Sequence, residues 1–266
     1  MKTYPRVLSI AGSDSGGGAG IQADIKAISA TGSYAATAIT AVTVQNTIGV
    51  QSVCPIPVAT IGEQIAAVLD DIGADAVKIG MLHSAKVVDM VATMLQRYRC
   101  RNVVLDPVMV STSGHRLIEE EAVAALKDEL VPLARIITPN LPEAEILLGT
   151  ELRRQDDLPQ AARQLSMGGR VSVLLKAGHL DDATLTDIFY NAESDTVLPL
   201  SAPRIATVNT HGTGCTLSSA LASYLAQGLA LDDAARAAKD YIARAIAAGA
   251  DYTIGHGHGP VSHFLR

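Results

Sequence analysis

The stretch Asn209, Thr210, His211, Gly212, Thr213, Gly214, Cys215 sets two glycines and a thiol before a run rich in Leu, Ala and Ser that reads as a helix. Successive backbone amides at a helix N-terminus form an anion hole backed by the dipole. Phosphoryl transfer needs such donors, because it is catalysed mainly by positioning and charge stabilisation. The same terminus is expected to lower the Cys215 thiol below its free value of ~8.5. A thiolate there suits taking a proton from an attacking hydroxyl. The alternative is the commoner fate of a free cysteine, a small buried hydrophobe.

Further polar groups follow apolar segments at "AGSDSGGGAGIQAD", "DPVMVSTSG", "TPNLPEAE" and "KAGH". The glycine loop from Gly12 to Gly20 is neither a Walker A loop, since no Lys-Ser or Lys-Thr follows it, nor a G-x-G-x-x-G turn. It reads equally as a tight strand-to-helix turn or as a ligand contact. Asp24, in the helix that follows, is either a ligand contact or a solvated acid favoured by the dipole. Asn140 and Glu143, three apart at a helix start, suit a hydrated Mg²⁺, which takes oxygen ligands and keeps several waters. On spacing alone, plain capping is the better reading of that pair. Asp106 points at the same rim or simply ends a strand, and Lys176 either neutralises phosphate or snorkels to the surface.

Other candidates carry less. His211 reads as a cap or a solvent-facing side chain rather than a base, and His256, His258 and His263 as a terminal loop rather than a metal tract. Cys54 and Cys100 are assigned to structural burial, and Met81 and Val108 are core residues on composition. A cysteine hydrolase using Cys215 and His211 lacks an orienting acid.

These groups need a frame, and the apolar segments supply it. "RVLSIAG", "TAITAVTVQN", "DAVKIGML", "NVVLDPVM", "RIITPN" and "VSVLLKAG" read as buried strands. Helical patterns lie between most of them, as in Ile21, Ile25 and Ile28, or Val87, Val91, Met94 and Leu95. Start signals are a Thr60-x-x-Glu63 capping box, Ser84 as a cap and Pro142 in a first turn. Such alternation predicts a mainly parallel sheet with helices on both faces and ligands beyond the carboxyl ends of the strands. "TVQNTIGVQSVCPIPV" and "LTDIFYNAESDTVLPLSAPRIATVNT" break the rhythm and read as hairpins or edge strands.

The 266 residues, 48% hydrophobic, fit one domain. A net charge of -6 with no Trp argues against nucleic-acid binding. Three cysteines without C-x-x-C spacing fit neither a disulfide framework nor zinc, which points to a reducing cytosol. The opening "MKTYPRVLSIAG" lacks a signal-peptide h-region, and no run reaches the ~18 apolar residues of a membrane span, so a soluble protein is expected.

Taken together, "AGSDSGGGAGIQAD", "TAVTVQNT", "KIGML", "VVLDPVM", "TPNLPEAE", "NTHGTGC" and "GPVSHF" resemble, in order, the hydroxymethylpyrimidine/phosphomethylpyrimidine kinases of the ribokinase-like superfamily. The resemblance implies a three-layer α/β/α fold with a mainly parallel central sheet and small hairpin or edge-strand additions, in a single kinase domain over 1–266. It implies ATP with Mg²⁺ as donor and a pyrimidine alcohol, then its monophosphate, as acceptor. Gly12, Ala19, Asp24, Gln45, Met81 and Val108 would line the acceptor pocket. Gln45 suits a ring offering both donors and acceptors. Lys176, Asn140 and Thr210 would face the nucleotide phosphates, and Glu143 and Asp106 would hold Mg²⁺ through water. Gly212, Thr213 and Gly214 match the anion hole, and Cys215 matches the catalytic base, which is Asp in most of the superfamily's sugar kinases. A cytoplasmic homodimer is implied as well. A pyridoxal kinase is the second reading, and a non-catalytic binder of the same fold is the third.

Overall fold

The computed structural model describes residues 2–110, 114, 117–178 and 184–265. The six apolar segments become β1 (Arg6–Asp14), β2 (Tyr34–Gln45), β4 (Ala76–Ile79), β5 (Val103–Leu105), β6 (Ile136–Ile137) and β7 (Ser172–Leu175). The two irregular stretches supply β3 (Val50–Pro55) at one edge and the hairpin β8 (Thr184–Asn191) with β9 (Thr196–Pro203) at the other. These nine strands of the described residues form one sheet in the order β3-β2-β1-β4-β5-β6-β7-β8-β9. Strands β2, β1, β4, β5, β6 and β7 are parallel neighbours, whereas β3, β8 and β9 join antiparallel.

Among the described residues eight α-helices cover the sheet: α1 (Gly20–Ala30), α2 (Val58–Asp71), α3 (Ala85–Arg97), α4 (Glu120–Ala125), α5 (Leu141–Leu148), α6 (Leu158–Leu165), α7 (Thr213–Ala226) and α8 (Leu231–Gly249). Alternate residues of each strand serve opposite layers. Val7, Ala76, Val104, Ile136 and Leu174 pack with α1, α7 and α8. Leu8, Ile10, Val77, Ile79 and Leu105 pack with helices α2 to α6. This is the expected three-layer α/β/α arrangement. Strand order reverses at β1, with β2 on one side and β4 on the other, so a crevice opens at the carboxyl ends of the central strands.

Several local expectations need correction. Ile25 is 40% exposed while Ile21 and Ile28 are buried. The inward stripe of α1 runs through positions 21, 24 and 28, and Asp24 occupies its middle. The Thr60-x-x-Glu63 box does not start α2, because Pro57 stands at the N-cap and the helix begins at Val58. Ser84 does occupy the N-cap of α3, without a side-chain cap bond. Cys54 is exposed on the edge strand β3, and Cys100 is half-buried. Among the described residues, no helix is long and apolar enough to cross a membrane.

Candidate active site

Parallel register brings the strand-end groups together. Leu105 pairs with Ile137, so the next residues, Asp106 and Thr138, are neighbours, and the Thr138 hydroxyl donates to Asp106 Oδ1 at 3.0 Å. A bridge from Asn140 to Lys176 continues the row. Lys176 does not snorkel outward. Its Nζ donates to Asp106 Oδ1 at 2.9 Å, and the pair is 13% and 2% exposed. Ser218, on α7, donates to Asp106 Oδ2. A Cβ at Gly214 would lie 3.1 Å from Lys176 Nζ, so the first turn of α7 rests on this pair.

Asn140 and Glu143 form a full capping box at α5, with Glu143 N donating to Asn140 Oδ1 at 2.9 Å and Asn140 N donating to Glu143 Oε2 at 2.8 Å. Capping, the better reading on spacing, is therefore present, and it leaves Glu143 buried beside the Lys176–Asp106 pair. Burial pushes the Glu143 carboxyl up to about 7, with Lys176 opposing and Asp106 adding to the rise. Asp106 goes the other way: burial raises it, but Lys176 and Lys78 outweigh that and hold it below the usual range. Two buried acids, one short of positive compensation, with neutral oxygen donors nearby, fit a divalent cation held largely through water. Among the described residues no three His, Cys, Asp or Glu side chains gather as a direct metal set.

Cys215 lies in the first turn of α7, behind Gly212 at the N-cap. Gly212 has a left-handed φ of 77° and packs against the Gly18 carbonyl, where a Cβ would overlap it. The thiol is not lowered as expected. Burial pushes it up to about 11; Lys78 and an amide bond from Gly20 oppose the rise, while Asp24 and Asp106 add to it. The dipole is real, but removing the thiolate from water in the company of two carboxylates costs more.

Asp24 is the second correction. It is not solvated; it is fully buried, accepting from Lys78 Nζ at 2.8 and 3.0 Å, Ser9 Oγ at 2.6 Å and Ser219 Oγ at 2.7 Å. Lys78 was missed by the sequence reading. Its signal was a lone cation in the middle of "AVKI", a strand whose four residues are all buried.

The first loop and the His211 loop interlock. Asp14 accepts from the amides of Gly16, Gly18 and Ala19, and lies 2.8 Å from His211 Nε2. His211 is thus buried and paired, not solvent-facing. Burial tends to raise Asp14, but His211 and the amides hold it below the usual range. Gln45 ends β2 with its Nε2 3.4 Å from His211 Nε2 and its Oε1 accepting from Thr43. A Cβ at Gly12 would lie 3.1 Å from Met81 Sδ, so those two face each other. Met81 is buried and Val108 half-buried, with Val108 N bonded to the Asp106 carbonyl. Thr210 sits in the turn before Gly212, accepting from Thr213 N. Of the histidine tract, His256 and His258 are exposed. His263 is buried, 3.0 Å from the Thr216 hydroxyl, and burial pushes it down to about 4.

A doubly covered parallel sheet whose carboxyl-end rim carries a helix N-terminus, a buried Lys–Asp pair, a capped acid and a thiol defines a phosphotransferase acting on small molecules. The sequence matches the phosphomethylpyrimidine kinase family over residues 14–262, and the chain belongs to that family. It is 48% identical to the hydroxymethylpyrimidine/phosphomethylpyrimidine kinase of Rhizobium meliloti over 97% of each chain. It is also 48% identical, over 98% of its length, to the thiamine biosynthesis bifunctional protein of Geobacter sulfurreducens, of which it spans 53%, about half that relative's length. Among solved structures, the ADP complex of Bacillus subtilis pyridoxal kinase superposes with a TM-score of 0.90 at 38% identity, covering 98% of both chains.

Proposed function

We propose that this chain transfers the γ-phosphoryl group of ATP to the hydroxymethyl oxygen of 4-amino-5-hydroxymethyl-2-methylpyrimidine, and a second to the resulting monophosphate. The hydroxymethyl oxygen attacks phosphorus, its proton passes to Cys215 Sγ, and the bond to the ADP oxygen breaks. With the thiol pushed up to about 11, the base is the thiolate fraction of Cys215, which Lys78 and Lys176 favour by their charge and which grows as pH rises. The amides of Gly212, Thr213 and Gly214 and the Lys176 ammonium face the charge that develops on the phosphoryl oxygens. Asn140 and Thr210 would hold the nucleotide phosphates, and Glu143 and Asp106 would hold Mg²⁺. The cation, when bound, neutralises phosphate charge. Gln45 reads the pyrimidine edge against a wall of Gly12, Ala19, Met81 and Val108, while Asp24 shapes the pocket from beneath.

The observation that carries this reading is the position of Cys215, in the first turn of α7 with Lys78, Lys176 and Asp106 around it. The same assignment takes residues 1–266 as one kinase domain of a cytoplasmic homodimer, with no nucleic-acid or membrane partner. Exposed Val42, Val44 and Ile48 near the β3 edge support the dimer. A pyridoxal kinase is the second reading, favoured by the close superposition on the Bacillus subtilis enzyme. Steady-state kinetics with both acceptors decide between them. The pyrimidine alcohol is expected to give the larger kcat/KM, and a far larger value for pyridoxal would overturn the substrate assignment.

A further inference from the structure

Beneath the proposed base lies a polar cluster shared by β1, β4, α1 and α7. Ser9 on β1 and Lys78 on β4 are register partners. Both face the α1 and α7 layer, the side on which the strands' other residues, Val7 and Ala76, are apolar. Asp24 reaches in from α1 and Ser219 from α7, and both bond to the same centre. Ser219 stands four residues after Cys215, hence on the same helix face one turn on. Lys78 and Asp24 are each 0% exposed, so water screens neither.

Such a cluster is costly to bury and needs a reason. Four elements already packed by apolar contacts do not need an ammonium between them. An ammonium has three protons. Among the described residues both hydrogen bonds of Lys78 go to Asp24, which leaves at least one proton for another anion. The charged groups near this cation, besides Asp24, are Cys215 and Asp106, and Lys176 lies on the far side of Asp106.

We propose that Lys78 is a positioning residue for Cys215: Asp24, bonded to both Lys78 and Ser219, fixes the ammonium against the α7 turn that carries the thiol and so sets a positive charge beneath it. This rests on the reading of Cys215 as the base. Asp24 limits the charge Lys78 contributes, and Asp106 and Lys176 bear on the thiol from the phosphate side. Asp24 and Asp106 raise the thiol and Lys78 lowers it.

The test uses the full chain with Cys54 and Cys100 replaced by Ser, so that iodoacetamide reports Cys215 alone. Lys78→Met/Asp24→Asn removes both charges while keeping hydrogen-bonding groups for Ser9 and Ser219. Its Cys215 alkylation rate near pH 8 is expected to fall about tenfold, one unit of thiol pKa. The kcat for the pyrimidine is expected to fall roughly 10–100-fold with KM within about twofold. A folded double variant with unchanged alkylation overturns the proposal, even if kcat falls, because the pair would then be structural. Should that variant not fold, Ser219→Ala decides, since it leaves the ion pair intact but frees it from α7. There a fall of about threefold in both rates supports the proposal, and no change in either overturns it. Cys215→Ala in the same background separates the two ideas: wild-type kcat there removes the base itself, whereas lost kcat there with an unaffected Lys78 variant removes only this inference.

Discussion

Two buried ion pairs stand on either side of Cys215, and they are built differently. Lys78 and Asp24 are both 0% exposed, and Asp24 is filled by Ser9 and Ser219 as well. Lys176 and Asp106 are 13% and 2% exposed, and the Lys176 ammonium abuts the α7 turn at Gly214. The first pair is sealed and belongs to the framework under the thiol. The second opens on the rim, where a phosphate oxygen can compete for the lysine. Buried charge thus serves two purposes in one site, and the degree of sealing distinguishes them.

Breaking each pair should expose that contrast. Lys78→Met leaves the Asp24 charge buried and alone, and urea denaturation is expected to show a loss of ~3–5 kcal/mol. Lys176→Met leaves Asp106 with Thr138, Ser218 and a partly open environment. Its stability loss should be only about 1–2 kcal/mol, while kcat/KM for ATP falls about 10²-fold. Equal stability losses would erase the distinction between the pairs. Gly214→Ala places a methyl 3.1 Å from Lys176 Nζ and should displace it, lowering kcat about tenfold with little change in folding.

The smallest effect is one of pH. Glu143 titrates higher in the folded chain, at about 7, than in the unfolded one, so folding takes up a proton between its ordinary range and about 7. Its contribution to stability is therefore greatest at low pH and declines as pH rises toward 7. His263, pushed down to about 4, acts oppositely over part of this window, so only a difference is informative. Relative to the wild type without Mg²⁺, Glu143→Gln should gain stability between about pH 5 and pH 7.5. Added Mg²⁺ should stabilise the wild type at the upper pH and the variant less. A constant difference across pH would leave Glu143 as a cap alone.

Much of this arrangement was legible in the sequence, for identifiable reasons. The strands were marked by apolar runs ending in Asp, Asn or Gly, and the parallel order followed from their alternation with helices. Both edge additions showed as stretches without a helix. At the candidate site, Asn140, Glu143, Lys176 and Cys215 stood out because each directly follows such a run or opens a helix. What escaped depended on burial and on distant pairing. Asp24 looked solvated because the i, i+4 reading of α1 chose Ile25, whereas the buried stripe passes through Asp24. Lys78 was absorbed into an apolar strand, although a cation between Val77 and Ile79 was itself the clue. The pairing of Asp14 with His211 joins residues 197 apart, which no local spacing reveals. The thiol shift was misjudged because the dipole is visible in sequence, and the carboxylates and burial that outweigh it are not.

The proposed transfer turns on a proton passing to Cys215. The most direct measurement is kcat of Cys215→Ala alongside calorimetric binding of the pyrimidine alcohol. The expected result is a fall in kcat of ~10²–10⁴-fold with binding affinity preserved. Wild-type kcat in that variant would contradict it and return Cys215 to a packing role.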